Sequence, residues 1–216
     1  LFGTFGGTGG GEVTVTSTPE ESTLIEAGLR WDDLNLSEIG RTFEFEKAPQ
    51  GKITGRIDFT TLAGRTDTLN GKGVIGLRNG QLFHVPIFGP LSLPLGTVLS
   101  KEFSHEQARD ASTTFVLKNG VAFTRDFLTS TPSTTFVGEG SVDLVNKQVD
   151  LTMRMNARGL LGLVTLPLTP VKGLFQFRGQ GPLSKPAWRS APFTQPAGGR
   201  AHPIFKTPRA KIVPER

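Results

Sequence analysis

The residues best able to do chemistry in this 216-residue chain are few and scattered. Asp143 and Asp150 lie close together in a segment that reads as a hairpin, and two neighbouring carboxyls could act as general acid and base. Such a pair needs a cleft that drives its pKa values apart, whereas both positions fall on the polar side of alternating strands, where carboxylates are solvated. Gly71-Lys72-Gly73-Val74-Ile75-Gly76 spells G-x-G-x-x-G, the glycine spacing that lets a dinucleotide pyrophosphate approach a helix N-terminus. Here apolar–polar alternation runs straight through it from Leu69 to Leu77, so the segment is a strand and binds no dinucleotide. His84, His105 and His202 are too far apart for metal-ligand spacing, and His84 reads as a rim or edge residue. Cysteine is absent, which excludes thiolate metal sites and disulfides. Neither a nucleophile elbow nor a phosphate-binding loop occurs. The residues therefore predict a non-enzymatic protein with no catalytic or metal site and no cofactor.

What would position any such residue is a sheet. Phe136 to Met155 reads as two strands joined by a two-residue turn at Asn146-Lys147, with Val145 facing Gln148 and Leu144 facing Val149. One face then carries Leu144, Val149, Val142, Leu151, Gly140, Met153 and Met155. The other carries Val145, Gln148, Asp143, Asp150, Ser141, Thr152, Glu139 and Arg154. A slip of one residue would destroy that sorting, so the unit is an antiparallel sheet with one apolar and one wet face.

The same pattern recurs along the chain. Residues 1–11 hold six glycines, read as turn or edge-strand positions, and lead into the alternating Glu12 to Thr16. Thr23 to Leu34 is a further strand, followed by a short helix through Arg41 capped by Asn35 or Ser37. Lys52 to Thr61 places Ile53, Gly55, Ile57 and Phe59 on one side. Leu69 to Leu77 does the same with Gly71, Gly73 and Ile75, and Lys172 to Gln180 with Phe175 and Phe177. Leu77-Arg78-Asn79-Gly80 is echoed by Leu117-Lys118-Asn119-Gly120, and Asn-Gly favours a type I′ hairpin because both positions need positive φ. Two Pro-broken apolar stretches, Pro86 to Leu95 and Gly159 to Leu168, are too short to span a bilayer. They read either as lids packed on the sheet's apolar face or as segments that touch lipid.

Composition narrows the class further. Gly at 27 and Pro at 15 fit many strands with short turns. The absence of Tyr, with only Trp31 and Trp188, argues against a transmembrane barrel, which wears aromatic girdles. Of the 24 Lys/Arg and 19 Asp/Glu, residues 183–216 hold seven basic and one acidic, leaving 17 basic and 18 acidic for the rest. The positive charge belongs to a Pro-rich terminal stretch, so no nucleic-acid-binding face is expected on the body. Two parts follow: a β domain over residues 1–182 and a basic disordered tail over 183–216, either a solvated terminus or a contact for polyanions. The chain opens mid-pattern without a signal peptide and is expected to be the C-terminal region of something longer.

Four features in order carry a family resemblance: the Gly-rich strand into Asn-Gly at Gly73 to Gly80, and the Pro/Leu segment Pro86 to Leu99; then the second Asn-Gly hairpin with Gly138-Glu139-Gly140-Ser141-Val142-Asp143-Leu144 and Val149-Asp150-Leu151, and finally Phe175 to Pro186, which reads F-x-F-x-G-x-G-P-L-S-K-P. Over about residues 50–190 the chain resembles the C-terminal region of AsmA-like, TamB-related bacterial envelope proteins. The resemblance implies a curled β-groove with an apolar interior, carried by a protein of the periplasm that is anchored in the inner membrane through an N-terminal helix outside this sequence. It implies phospholipid as the bound partner, transport towards the outer membrane, a part in outer-membrane assembly, and room for an outer-membrane protein partner. It brings no catalytic residues.

The fold class expected is thus mainly β, with antiparallel hairpins stacked into a curled groove or half-barrel and one or two short helical or apolar lid segments. The groove-lining residues expected are Ile53, Ile57, Phe59, Ile75, Leu77, Val142, Leu144, Val149, Leu151, Met153 and Met155. Acyl chains on such a surface gain about 0.8 kcal/mol per buried methylene. Glycines among these residues, such as Gly55, Gly73 and Gly140, would let the sheet curl and leave room for chains. The same residues would equally build an ordinary closed core, giving a scaffold domain that works through protein partners, because periodicity does not separate core from conduit.

Overall fold

The computed structural model describes residues 2–17, 22–44, 49–82, 85, 87–88, 110–130, 134–157 and 174–192. Period-two patterning becomes eleven strands: β1 (Phe2–Thr4), β2 (Gly7–Ser17), β3 (Thr23–Asn35), β4 (Lys52–Leu62), β5 (Arg65–Arg78), β6 (Asp110–Lys118), β7 (Val121–Ser130), β8 (Thr134–Asp143), β9 (Gln148–Ala157), β10 (Leu174–Pro182) and β11 (Ala187–Ala191). They form one antiparallel sheet whose spatial order is the chain order, β1 to β11, and among the described residues no pairing closes it into a barrel. The single helix among the described residues, α1 (Leu36–Thr42), follows β3, and its first turn is capped by Asn35, whose Oδ1 accepts the Ser37 N–H at 3.0 Å.

The direct pairs put one apolar face across the whole sheet. Through β3, β4 and β5 run Leu29, Ile57 and Gly73, and beside them Trp31, Gly55 and Ile75. Through β8, β9 and β10 run Gly138, Met153 and Phe177, and beside them Phe136, Met155 and Phe175. Gly71 to Gly76 lies wholly inside β5, which confirms that the G-x-G-x-x-G match is a strand.

The central hairpin keeps its two faces but not its expected register. Val142 pairs with Val149 and Asp143 with Gln148, so Leu144 to Lys147 form a four-residue loop in place of a two-residue turn. The cause is Asp143, whose Oδ1 accepts the N–H groups of Val145 (2.9 Å) and Asn146 (2.8 Å), while its Oδ2 accepts the Asn146 side-chain amide at 2.8 Å. This local alternative ends the ladder early. The slip is even, which is why every strand residue stays on its own face.

Of the two Asn-Gly pairs only the second makes the hairpin. Asn119 (φ 50°) and Gly120 (φ 77°) link Lys118 to its partner Val121 as a type I′ turn requires. At the first, Asn79 has positive φ but Gly80 lies tight against Leu77, and Gln81 N–H donates to Gln50 O at 3.0 Å, so the chain runs on under β4. The sheet also continues past the expected domain boundary at 182. Leu183 to Pro186 turn the chain into β11, anchored by the buried Trp188, and residues 193–216 of the expected tail lie outside the described residues.

Besides an irregularity at Thr60 to Leu62 where β4 meets β5, two bulges interrupt the ladder with an aspartate at the centre of each. In β3 the pairing jumps from Trp31–Gly55 to Leu34–Ile53, inserting one residue at Asp32-Asp33, and Asp33 has φ 53°. Thr54 Oγ1 donates to Asp32 Oδ1 (2.7 Å) and Arg78 Nη2 to Asp33 Oδ1 (2.6 Å). In β7 the extra residue falls at Arg125-Asp126, where Asp126 accepts from the Thr114 N–H (2.9 Å), from Thr114 Oγ1 (2.6 Å) and from Thr113 Oγ1 (3.1 Å).

The hairpin turns at 63–64, 119–120, 144–147 and 183–186 sit at one end of the sheet, and the two-residue Phe5-Gly6 turn sits at the other, beside Asn35. The long connections 36–51, 79–109 and 158–173 all leave from that other end as well.

Candidate functional site

The surface that could act on another molecule is the apolar face, and its two halves differ. Toward β11 it is closed. Phe136, Val149, Leu151, Met153, Met155, Phe177 and Trp188 are buried, with Met155 and Phe177 at 0 % exposure. The cover includes the chain that follows β5. Leu82 is buried, while Val85, Ile87 and Phe88 pack against the core, and the Phe88 ring stacks on Phe127 with centroids 5.2 Å apart. Trp188 Nε1–H donates to Ile87 O at 2.9 Å, which pins this strap to the last strand and brings β11 to the segment between β5 and β6. Such a satisfied indole is what a buried Trp requires. The beginning of the first apolar stretch is thus a lid on the sheet. The rest of it, from residue 89, and the second stretch, 159–168, lie outside the described residues, as do His84, His105 and His202.

Toward β2 the face is open. Ile25, Leu29, Ile57, Phe59 and Ile75 are half-buried, and Val13 and Val15 on β2 are 58 % and 62 % exposed. Of the groove residues expected from sequence, Ile57, Phe59 and Ile75 fall in this partly covered region, whereas Ile53 and Val142 are half-buried and pack against the closed core. Leu77, Val149, Leu151, Met153 and Met155 fall in the closed core. Leu144 belongs to neither: the Asp143 turn takes it out of the strand, and it is 37 % exposed. Between the halves, Thr113 and Thr124 hydrogen bond to each other on the apolar face beside Asp126, a polar seam that sequence patterning missed.

The glycines of this face leave less room than expected. An added Cβ at Gly55 would sit 2.7 Å from Trp31 Cζ2, and one at Gly179 would sit 2.5 Å from Trp188 Cε2. At Gly73 it would meet the Phe115 ring. Each of these glycines directly opposes the aromatic residue that lies over it, so the space is filled by rings of the protein itself. Gly140 (φ 143°) is different: its missing side chain admits the Asp150 carbonyl, a backbone contact.

On the wet face the two hairpin carboxylates do not form an acid–base pair. Asp143 is spent on its turn, and the backbone N–H of Asn146, then its side-chain amide, hold its carboxyl below the ordinary range. Asp150 receives a bidentate Arg178, Nε at 3.0 Å and Nη2 at 2.7 Å, with Gln180 Nε2 also at 3.0 Å. The Arg178 guanidinium lowers the Asp150 pKa, and Asp150 raises that of Arg178. Arg154, expected in solvent, has a side chain only 5 % exposed and donates to Glu139 Oε1 at 2.7 Å. A shallow depression of about 470 Å³ lies over Gly10, Gly11 and Gly28, rimmed by Arg30 and Arg56, which oppose each other directly, and by Glu12 and Asp58 on either side of Gly28. Among the described residues no three His, Cys, Asp or Glu side chains are grouped to hold a metal ion.

No known protein-family model matches the chain, and neither a curated protein nor a solved structure shows significant similarity to it.

Proposed function

We propose that the open half of the apolar face, on β3 to β5, binds phospholipid acyl chains, and that the chain is a non-enzymatic lipid-conducting segment of an AsmA-like envelope protein. In this reading it works in the periplasm between inner and outer membrane and aids outer-membrane assembly. The observation that carries the reading is the half-exposure of Leu29, Ile57, Phe59 and Ile75, four large apolar side chains on one face of three adjacent strands. Contiguous apolar surface left partly exposed in this way supports a binding surface, and each methylene moved onto it from water contributes about 0.8 kcal/mol. Nothing in such contacts depends on headgroup chemistry, which suits a surface along which lipid slides.

The second reading is a scaffold domain, favoured by the closed core around Met155 and Phe177 and by the rings that occupy Gly55 and Gly73. Native mass spectrometry of the purified chain incubated with phospholipid separates the two. The lipid reading expects stoichiometric phospholipid on the wild type, lost in Ile57→Asp/Phe59→Asp while the cooperative melt is retained. A lipid-free wild type with a cooperative melt assigns the chain to the scaffold class.

A further inference from the structure

Three of the hairpin turns at one end of the sheet are stitched into a row. Leu144 N–H donates to Gly120 O at 3.0 Å, and Leu183 N–H donates to Lys147 O at 2.8 Å. The 119–120 turn therefore holds the 144–147 loop, and that loop holds the 183–186 turn. Gly120 N–H in turn donates to Leu69 O at 2.9 Å, and Val145 lies over Gly120, where an added Cβ would sit 2.6 Å from Val145 Cγ2. Loops tied in this way present their side chains as one preorganised surface. That surface carries two kinds of side chain. Lys118, Lys147 and Lys185, one at each turn, are exposed, and among the described residues none of them makes an ion pair. The acidic residue of the row, Asp143, has both carboxylate oxygens committed to Val145 and Asn146. At the next turn Arg65 and Asp67 neutralise each other. The row is therefore positive. Between its lysines stand Leu144 and Val145, adjacent in sequence and 37 % and 42 % exposed. Single exposed apolar residues are ordinary, whereas an aliphatic pair on a loop among unpaired lysines is a specific combination.

We propose that this row of turns docks on an anionic bilayer surface, with Leu144 and Val145 entering the layer between headgroups and acyl chains and the three lysines meeting the phosphates around them. Charge complementarity selects the sign of the surface, because lysines near an anionic leaflet are attracted to it. The aliphatic pair selects a bilayer over a soluble polyanion. A polyanion in water would engage the lysines but offers no apolar layer to receive Leu144 and Val145, and the three turns hold no aromatic ring on which a nucleic-acid base could stack. Each contribution is weak by itself, and stable membrane anchoring takes two such signals together. The inference stands whether or not the open apolar face carries lipid, since Leu144 has left that face and none of the lysines belongs to it.

The test is flotation of the intact chain with vesicles, either of phosphatidylcholine alone or of equal parts of phosphatidylcholine and phosphatidylglycerol. The wild type is expected to float with the anionic vesicles, far less with the neutral ones, and to be released as salt screens the lysines. Lys118→Gln/Lys147→Gln/Lys185→Gln should weaken binding about tenfold or more, and Leu144→Ser/Val145→Ser about tenfold. Lys118→Arg/Lys147→Arg/Lys185→Arg keeps the charge and should bind like the wild type. All five positions are exposed, and circular dichroism checks that each variant folds. Ile57→Asp/Phe59→Asp, which removes the lipid site proposed above, should still float, so the two readings fail separately. A wild type that does not float, or that floats equally with neutral vesicles, overturns the proposal. Binding indifferent to the glutamine variant would belong to the basic stretch 193–216 and overturns it too. Binding lost in the glutamine variant but untouched by the serines, and competed away by heparin, would assign the row to a soluble polyanion instead.

Discussion

The two halves of this sheet are built from one pattern and end in different states. On β3 to β5 and on β8 to β10 the apolar face carries similar residues at the same period, yet Phe59 is half-exposed and Phe177 is at 0 % exposure. What differs is the cover. The strap bearing Leu82, Ile87 and Phe88 lies against the β11 side and is fastened to Trp188. Alternation therefore states that a face is apolar, and the connection that leaves the strand end decides whether it becomes core or surface. Thr113, Thr124 and Asp126 mark the border between the two outcomes.

The comparison is most sharply tested by truncation in each half. Phe177→Ala should cost about 3–5 kcal/mol of unfolding free energy, and Phe59→Ala less than half of that, because only the first opens a cavity. Equal losses in urea titrations would mean that the halves are equally covered. Next in size is the ring-over-glycine packing. Gly55→Val puts a branched side chain where Trp31 Cζ2 and the Val74 carbonyl already lie, and should destabilise by about 1–3 kcal/mol, with a change in Trp31 fluorescence. At the border, Asp126→Ala strips acceptors from Thr113, Thr114 and the Thr114 N–H, with an expected loss of about 1–3 kcal/mol, read by thermal melting. Trp188→Phe deletes one hydrogen bond and leaves part of the indole's volume over Gly179 unfilled, so about 1–2 kcal/mol is expected, with faster amide exchange at the strap residues Leu82, Val85, Ile87 and Phe88.

The smallest effect is on pH. Asp150 has a folded pKa below its unfolded value because Arg178 pairs with it. The stability it contributes is therefore present above the ordinary aspartate pKa, about 3.9, and is lost as pH falls through the lower folded value. Both side chains are roughly half-exposed, so the effect is modest and salt-sensitive. Asp150→Asn should flatten the acid limb of the stability curve slightly and leave stability between pH 5 and 8 with only a small loss.

Much of the architecture was legible in residue order. Alternation located β3, β4, β5, the central hairpin and β10, and Asn35 marked the start of α1. The features that escaped are those in which a polar side chain takes over a backbone role. Asp143 replaced a tight turn with a longer loop and moved Leu144 off the apolar face. Asp33 and Asp126 inserted bulges that shift the register without disturbing the apolar alternation. A signal for the bulges did exist, since aspartate is depleted in strands and threonines on the neighbouring strand donate to Asp32 at the first bulge and to Asp126 at the second. β11 was hidden by Pro182 and Pro186, which mark the ends of a hairpin turn and were read as the end of order. Which part of the apolar face would be covered was not in the local pattern at all, because the cover comes from chain distant in sequence.

The strict succession of β1 to β11 has a consequence for how the molecule forms. Every strand pairs only with its neighbours in sequence, so each pairing closes only the loop between two consecutive strands, short at 63–64, 119–120 and 144–147 and longer where 36–51, 79–109 and 158–173 intervene. The bond from Trp188 to Ile87 joins residues 101 positions apart and is the costly loop closure, available only once β10 and β11 are in place. Assembly from a ribosome would then produce an open ribbon first and fasten it last, so that the final strand to be made sets the moment at which half of the apolar surface is taken out of water.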